Sequence, residues 1–122
     1  MPARRRDFAY LTTKGRRSGR EHTVELWFGV RGDTLYFLSG GGARADWMRN
    51  AWADPAVCVR LGRTTLDGRA RRVTDPEEEL AARRALAAKY EGWESGKRLS
   101  SWARSSLPLA VDVRAGSLAG TR

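Results

Sequence analysis

Cysteine and histidine are scarce in this sequence, which has one of each, Cys58 and His22. A single cysteine excludes an intrachain disulfide, and the pair cannot supply the ligands of a zinc site. One histidine leaves no spare base for a Ser-His-Asp or Cys-His arrangement. Cys58, between Val57 and Val59, is predicted to be an ordinary strand residue. His22 falls on the apolar face of a predicted strand, where a buried, hydrogen-bonded imidazole is expected.

Long apolar runs are also missing. No segment approaches the roughly 20 residues that a membrane-spanning helix needs. No apolar segment follows the basic N-terminus, so a signal peptide is not predicted and a cytoplasmic location is expected. The sequence has no phosphate-loop lysine motif, no GxGxxG after a strand and no metal-ligand spacing. A chain with so few catalytic side chains suits a cofactor that carries the reaction itself.

Positive charge is plentiful: the net charge is +9. This predicts an anionic partner, which composition leaves open among nucleic acid, a membrane surface and an anionic small molecule. Basic clusters lie at residues 4–6, 14–17 and 69–72. The first and third are equally well explained as solvated faces.

The pattern of apolar residues predicts one domain over residues 1–122, with a core over about 8–113 and a flexible basic N-terminus and C-terminal tail. Alternation and turn signals predict about six short strands, at residues 8–13, 22–30, 34–39, 57–61, 64–73 and 109–113. Helices are predicted at 46–53 and from Asp75 to Tyr90, with a short one around 99–104. Antiparallel, mostly hairpin-linked strands with a late helix indicate an α+β fold built on a β-barrel.

The turn from Lys14 to Gly19 is the most informative motif. Its two glycines permit a tight backbone path with amides free to face a ligand. Lys14, Arg16 and Arg17 surround it with positive charge, and arginine suits a bidentate grip on phosphate. The motif therefore predicts a phosphate or carboxylate cradle, although an ordinary basic hairpin turn has the same composition.

Two further features suggest a planar ligand. The glycines after Ser39 allow close approach of the backbone to a ligand, but a loose linker would look the same. The chain has five tryptophans. Trp27 and Trp93 lie at polar or irregular positions, where an aromatic ring can stack on a flat molecule. Trp47 and Trp102 are predicted to serve core or interface packing.

Taken together, these motifs resemble the deazaflavin-dependent nitroreductase family, actinobacterial flavin and deazaflavin oxidoreductases of split β-barrel fold. The resemblance covers residues 10–113. It rests on the following residues: Thr12-Thr13-Lys14-Gly15-Arg16-Arg17-Ser18-Gly19, Leu26-Trp27-Phe28, Ser39 with Gly41-Gly42, Trp47, Asn50 and Asp54-Pro55.

The resemblance implies the cofactor F420 and a set of residues that bind it. The basic turn would hold its phosphate and polyglutamate tail. The implied cofactor-binding residues are Lys14, Arg16, Arg17, Ser18, Ser39, Gly41, Gly42 and Asn50. The implied substrate pocket consists of Trp27, Ser39, Tyr90 and Trp93, and no side chain is implied as acid, base or nucleophile. A homodimer is also expected, because split barrels of this kind usually pair through a sheet face.

The implied activity is hydride transfer from reduced F420 to an electron-poor small molecule such as a quinone, an enone or a nitro compound. Two alternatives remain open: a split barrel that binds FMN or carries a cofactor without turnover, and a small basic nucleic-acid-binding barrel. The chain departs from the family pattern at His22 and Glu25, where an arginine and a proline are common. These departures leave the mode of binding and the substrate open.

Overall fold

A computed structural model describes residues 7–121, so the predicted flexible N-terminus with Arg4, Arg5 and Arg6 lies outside the described residues. Seven strands form one sheet. They are β1 (Ala9–Lys14), β2 (Glu21–Leu26), β3 (Gly29–Arg31), β4 (Thr34–Ser39), β5 (Ala56–Leu61), β6 (Thr64–Arg72) and β7 (Leu107–Val113). The helices are α1 (Asp46–Ala53), α2 (Pro76–Tyr90) and α3 (Ser101–Ser105), and one 3-10 turn spans Gly42–Arg44.

The sheet order is β2-β1-β5-β6-β7-β4-β3, and every pairing is antiparallel. The edge strands β2 and β3 follow one another in the chain with only Trp27 and Phe28 between them. Because two extended residues span less than about 10 Å, the sheet must curl until its two edges meet. This architecture confirms the predicted barrel.

The structure corrects the predicted strand over residues 22–30. That run is divided between β2 and β3, so the sheet has seven strands where about six were expected. The alternation of apolar residues nearly continues across the break, which is why the sequence pattern suggested a single strand. Phe28 is buried in the main core, whereas Trp27 packs on a second cluster.

The main core fills the inside of the curled sheet. Leu11, Phe37, Val59 and Val111 are fully buried there, and α1 contributes Met48 to the same cluster. Burying side chains of this size stabilises a fold by about 1.5–3 kcal/mol each. α1 therefore plugs the interior and is fixed against β1 and β6.

The second cluster lies on the outer face, where α2 covers β3, β4 and β7. Its centre is Tyr36, Leu38, Ala82, Leu86 and Ala110. A Cβ atom at Gly29 would lie 3.0 Å from the Leu86 side chain, so the absent side chain lets α2 approach β3 closely. The outer face thus gains a second, smaller core.

Local signals placed the helices well. Asp75 caps α2 by accepting a hydrogen bond from the Glu77 amide at 3.1 Å, with Pro76 as the first helical residue. Both features favour a helix start there. The predicted bounds of α1 and the predicted end of α2 at Tyr90 are confirmed.

The chain after β7 packs back onto the barrel, and the flexibility of the C-terminal tail stays a prediction. Leu118 is 3% exposed and belongs to the main core. Its neighbours form turns, and the Gly116 amide donates to the Asp33 carboxylate at 3.0 Å. No helix within residues 7–121 is long and apolar enough to cross a membrane.

Candidate functional site

A cavity of about 400 Å³ opens between the β1–β2 turn and α1. Its size falls within the usual range for small-molecule sites, about 300–1,000 Å³. The lining residues are Gly15, Arg16, Arg17, Ser18, His22, Thr23, Val24, Asp46, Trp47 and Asn50. The β1–β2 hairpin supplies the basic wall, whereas Val24 and Trp47 supply an apolar one.

The turn is closed at its base by two backbone hydrogen bonds. The Gly15 amide donates to the Arg20 carbonyl at 2.7 Å, and the Gly19 amide donates to the Gly15 carbonyl at 2.8 Å. Gly19 has φ +75°, which L side chains rarely adopt. This path leaves the amides of Arg17 and Ser18 without an acceptor among the described residues. Free amides in a tight turn favour an anion.

Arg16 is tied to α1. Its Nη1 donates to Asn50 Oδ1 at 2.7 Å, and its backbone amide donates to the same oxygen at 3.2 Å. Nη2 forms an ion pair with Asp46 at 3.1 Å. Asn50 is 4% exposed, so its amide group is a fixed point inside the fold. Arg16 therefore anchors the turn on the helix, through one donor on each of its two terminal guanidinium nitrogens.

Arg17 and Ser18 differ from Arg16 in making no side-chain hydrogen bond to α1 within residues 7–121. The exposed Arg17 side chain makes no hydrogen bond or ion pair within residues 7–121. Ser18 Oγ accepts a hydrogen bond from the Arg20 amide at 3.1 Å, which leaves its own proton available to a ligand. Together they present a guanidinium, a hydroxyl and two amides to an anion.

His22 also lines the cavity, and its side chain is exposed. The prediction of a buried imidazole is therefore wrong. In the β1–β2 register His22 is opposite Thr13, one residue before the turn begins. At the start of β2 the inward-facing side chain is no longer covered by the core. His22 therefore faces the mouth of the cavity.

Several predicted cofactor residues lie away from the cavity wall. Lys14 belongs to the outward-facing set of β1, while its neighbour Thr13 faces inward. Ser39 is 3% exposed, and its hydroxyl donates to the Gly42 carbonyl at 3.0 Å. Gly41 and Gly42 lie in the loop before α1, where a Cβ atom on either would meet nothing within 4 Å. Ser39 thus holds this loop, and contact of these residues with a cofactor stays a prediction.

The predicted substrate pocket does not form around the cavity. Trp27 and Tyr90 stack on one another at 4.4 Å with parallel rings, and Trp102 meets Trp27 edge-on at 5.4 Å. These three residues pack on the outer cluster under α2. Trp93 lies further along, where its indole donates to the Lys97 carbonyl at 2.7 Å. A role toward substrate for Trp27, Ser39, Tyr90 and Trp93 stays a prediction.

Tyr90 has a clear structural role. Its hydroxyl accepts a hydrogen bond from the Phe28 amide at 3.2 Å and donates one to the Asp7 carbonyl at 2.7 Å. Burial raises the pKa of Tyr90 to about 12, so the hydroxyl stays protonated and can donate. The side chain thereby holds the short link between β2 and β3.

Six residues of the cavity wall were not among the predicted cofactor-binding residues: Gly15, His22, Thr23, Val24, Asp46 and Trp47. The signal for His22 was present, since period-two counting back from Leu26 places it beside the turn on the inward side. Asp46 and Trp47 open α1, and only the packing of that helix against the turn brings them to the cavity. Within residues 7–121 no group of histidine, cysteine or carboxylate side chains is arranged to hold a metal ion.

Comparison with known proteins identifies the family. The model of the F420H(2)-dependent quinone reductase family matches residues 2–113. This chain belongs to that family. It is therefore an F420-dependent oxidoreductase, and F420 is its cofactor.

Solved structures agree on the fold. An F420-H2 dependent reductase superposes with TM-score 0.65 at 23% identity, covering 89% of this chain and 95% of that one. A FAD-binding protein from Mesorhizobium loti gives TM-score 0.61 at 16% identity, covering 88% and 79%. A structure described as a domain-swapped dimer gives TM-score 0.62 at 24% identity, covering 89% and 81%. At these identities the likeness establishes the split barrel, and the homodimer stays a prediction.

The cavity fits the chemistry of an anionic cofactor. Arg17 is free of competing carboxylates, and the two unpaired amides beside it point to an oxyanion ligand. The neighbouring wall of Val24 and Trp47 offers an apolar surface to an organic portion.

Proposed function

We propose that this protein transfers a hydride from reduced F420 to an electron-poor small organic acceptor, such as a quinone, an enone or a nitro compound. The observation that carries this proposal is the pairing of an anion cradle with an apolar, tryptophan-bearing wall in one cavity. The family supplies the cofactor, and the cavity supplies a place for its charged part.

Three groups of the β1–β2 turn would hold the cofactor's phosphate: the Arg17 guanidinium, the Ser18 hydroxyl and the backbone amides of both residues. The hold is pre-organised, because Arg16 already fastens the turn to Asn50 before any ligand arrives. Pre-organisation lowers the ordering cost of binding and fixes the ligand's orientation. Bound F420 in its reduced form supplies the hydride.

No side chain of the cavity is proposed as an acid, base or nucleophile in the reaction. Trp47 and Val24 limit access of water on their side of the cavity, and they give a planar group an apolar surface. The protein's part in the reaction, in this proposal, is therefore to bind, orient and shield.

Tryptophan fluorescence tests the binding step, since Trp47 lies on the cavity wall. Titration with F420 should quench the emission saturably, and Arg17→Ala should weaken the affinity at least ~10-fold because a charge-assisted contact to phosphate is lost. Arg63→Ala is the matched control. It removes one exposed positive charge in the β5–β6 turn and should leave the affinity within about twofold.

Turnover tests the second step. Anaerobic mixing with reduced F420 and a panel of quinones, enones and nitroaromatics should produce oxidised F420 in an acceptor-dependent way. Tight binding without oxidation by any acceptor would contradict the proposal and indicate a cofactor carrier. Binding of FMN in preference to F420 would contradict it at the first step.

A further inference from the structure

We propose that His22 is a direct ligand of the bound phosphoryl or other oxyanion group, and that protonation of its imidazole strengthens the hold on that group. This inference rests on the proposed function for the identity of the physiological ligand. The site that it describes is the cavity of the β1–β2 turn, and the chemistry that it recognises is a tetrahedral oxyanion.

The position of the imidazole is the first argument. A Cβ atom placed on Gly15 would lie 2.9 Å from His22 Nε2 and 2.8 Å from Ser18 Oγ. The two polar atoms therefore lie on the same side of Gly15, and only a residue without a Cβ atom lets both approach the turn this closely. Because Ser18 Oγ and His22 Nε2 lie close together on the same side of Gly15, the oxygens of one tetrahedral anion beside them can reach both.

The second argument is that the imidazole is uncommitted. No hydrogen bond or ion pair of the His22 side chain occurs within residues 7–121, and the side chain is exposed at the cavity mouth. An imidazole fixed by a carboxylate or a backbone carbonyl would have one nitrogen occupied. Here both nitrogens remain available, and a protonated ring offers two donors.

The charges around His22 favour a response to the ligand. From the turn, Arg16 and Arg17 face the cavity, and from α1 only Asp46 does. Asp46 is paired with Arg16 at 3.1 Å, which leaves Arg17 without a counter-charge. Arg20 and Glu21 precede His22 in the chain, and Glu21 is opposite Lys14 on the other side of the hairpin from His22.

A protonated imidazole adds a cationic donor beside Arg16 and Arg17. A bound oxyanion gains a charge-assisted hydrogen bond from that ring. Ligand binding and protonation of the ring must then favour each other equally, because the two equilibria are linked. Affinity is therefore highest on the acid side of the imidazole titration and falls as the pH rises through it. A charge-assisted hydrogen bond of ordinary strength makes the difference about 10-fold.

The single histidine makes the test direct, since an untagged protein has one imidazole to observe by NMR. Sulfate is the first probe, because its charge stays constant over about pH 5–8, where histidine ordinarily titrates. Saturating sulfate should move the midpoint of the imidazole titration about one pH unit upward, which corresponds to the 10-fold change in affinity. Chloride at equal ionic strength is the control for screening.

F420 is the second probe, and it separates the cofactor from a free anion. Wild-type protein, His22→Gln and His22→Arg are titrated across the same pH range, so that titration of the ligand itself cancels between variants. His22→Gln should bind about as weakly at low pH as wild type does at high pH. His22→Arg should bind tightly throughout, because guanidinium keeps its charge.

The outcomes separate this inference from the proposed function. An unmoved imidazole midpoint, or a pH profile for His22→Gln that matches wild type, overturns the role of His22 even if hydride transfer occurs. A shifted midpoint with sulfate supports it even if F420 neither binds nor reacts. Circular dichroism of both variants checks that the hairpin is intact; a folded His22→Gln with wild-type affinity at low pH also overturns the proposal.

Discussion

Arg71 and Arg17 differ in how many hydrogen bonds their side chains make to the rest of the protein. Arg71, on the outer side of β6, donates from Nε to Asp112 at 2.6 Å and from Nη2 to Glu78 at 2.7 Å. Glu78 also accepts a hydrogen bond from the Tyr36 hydroxyl at 2.5 Å. Arg17, in the β1–β2 turn, has no such partner among the described residues.

The hydrogen bonds of Arg71 also affect the pKa values of the carboxylates beside it. Hydrogen bonding from Arg71 lowers the pKa of Glu78 to about 2, and the same interaction lowers the pKa of Asp112. Those carboxylates thereby join α2 to β7 across the sheet. An arginine that gives most of its donors to carboxylates of the same chain stabilises the fold, whereas one with open donors on a cavity wall is placed for a ligand.

Removing Arg71 gives the largest expected effect on stability. Arg71→Ala leaves Glu78 and Asp112 without their common partner, and we expect a loss of about 2 kcal/mol in the free energy of unfolding. Urea denaturation measures it, and F420 affinity should stay within about twofold. Arg69→Ala, at an exposed position on the same strand, is the control. A variant that kept its stability but lost F420 would break the comparison between the two arginines.

Asn50 contributes both to the fold and to the shape of the β1–β2 turn. Its replacement should therefore lower both stability and F420 affinity, with a smaller loss of stability than Arg71→Ala. Asn50→Ala removes the oxygen that accepts both the Arg16 amide and its guanidinium. We expect a loss of about 1 kcal/mol in stability and a ~3- to 10-fold loss of F420 affinity, since the turn is no longer held in place. Asn50→Asp keeps the acceptor and should retain most of both. Loss of stability with unchanged affinity would show that the turn holds its shape unaided.

Lys14 provides the smallest expected effect. It carries the same charge as Arg17 and lies three residues away, but it belongs to the outward-facing side of β1. Lys14→Ala should change F420 affinity less than about threefold, through long-range electrostatics alone, and the difference should vanish at high salt. A loss equal to that of Arg17→Ala would mean that charge near the turn, not its direction, controls binding.

Much of this fold could be read from local patterns. Alternation, glycine turns and the Asp75-Pro76 start are properties of neighbouring residues, and they located most strands and both longer helices. The division of residues 22–30 into two strands could not be predicted from local patterns, because it depends on the curling of the whole sheet. Burial of Leu118 escaped for the same reason: a short segment after the last strand carries no local signal of the core that it will meet.

The candidate site was predicted in part. The composition of the β1–β2 turn identified Arg16, Arg17 and Ser18 as a group, but their different roles depend on where α1 packs. Burial of His22 was predicted from the apolar pattern of its strand. That pattern implies burial only where other elements cover the strand, and none covers its first residues. Stacking of Trp27 on Tyr90 was beyond sequence reasoning, since the two are 63 positions apart and meet only through tertiary packing.

The two-residue link formed by Trp27 and Phe28 limits the width of the barrel. Its two residues limit the distance between the edge strands β2 and β3. They thereby limit the diameter of the barrel interior, into which α1 packs. One added residue would turn Phe28 away from the core and give the wall slack. Enlarging the interior of this fold, for a bulkier core or a wider cavity, therefore begins with the length of that link.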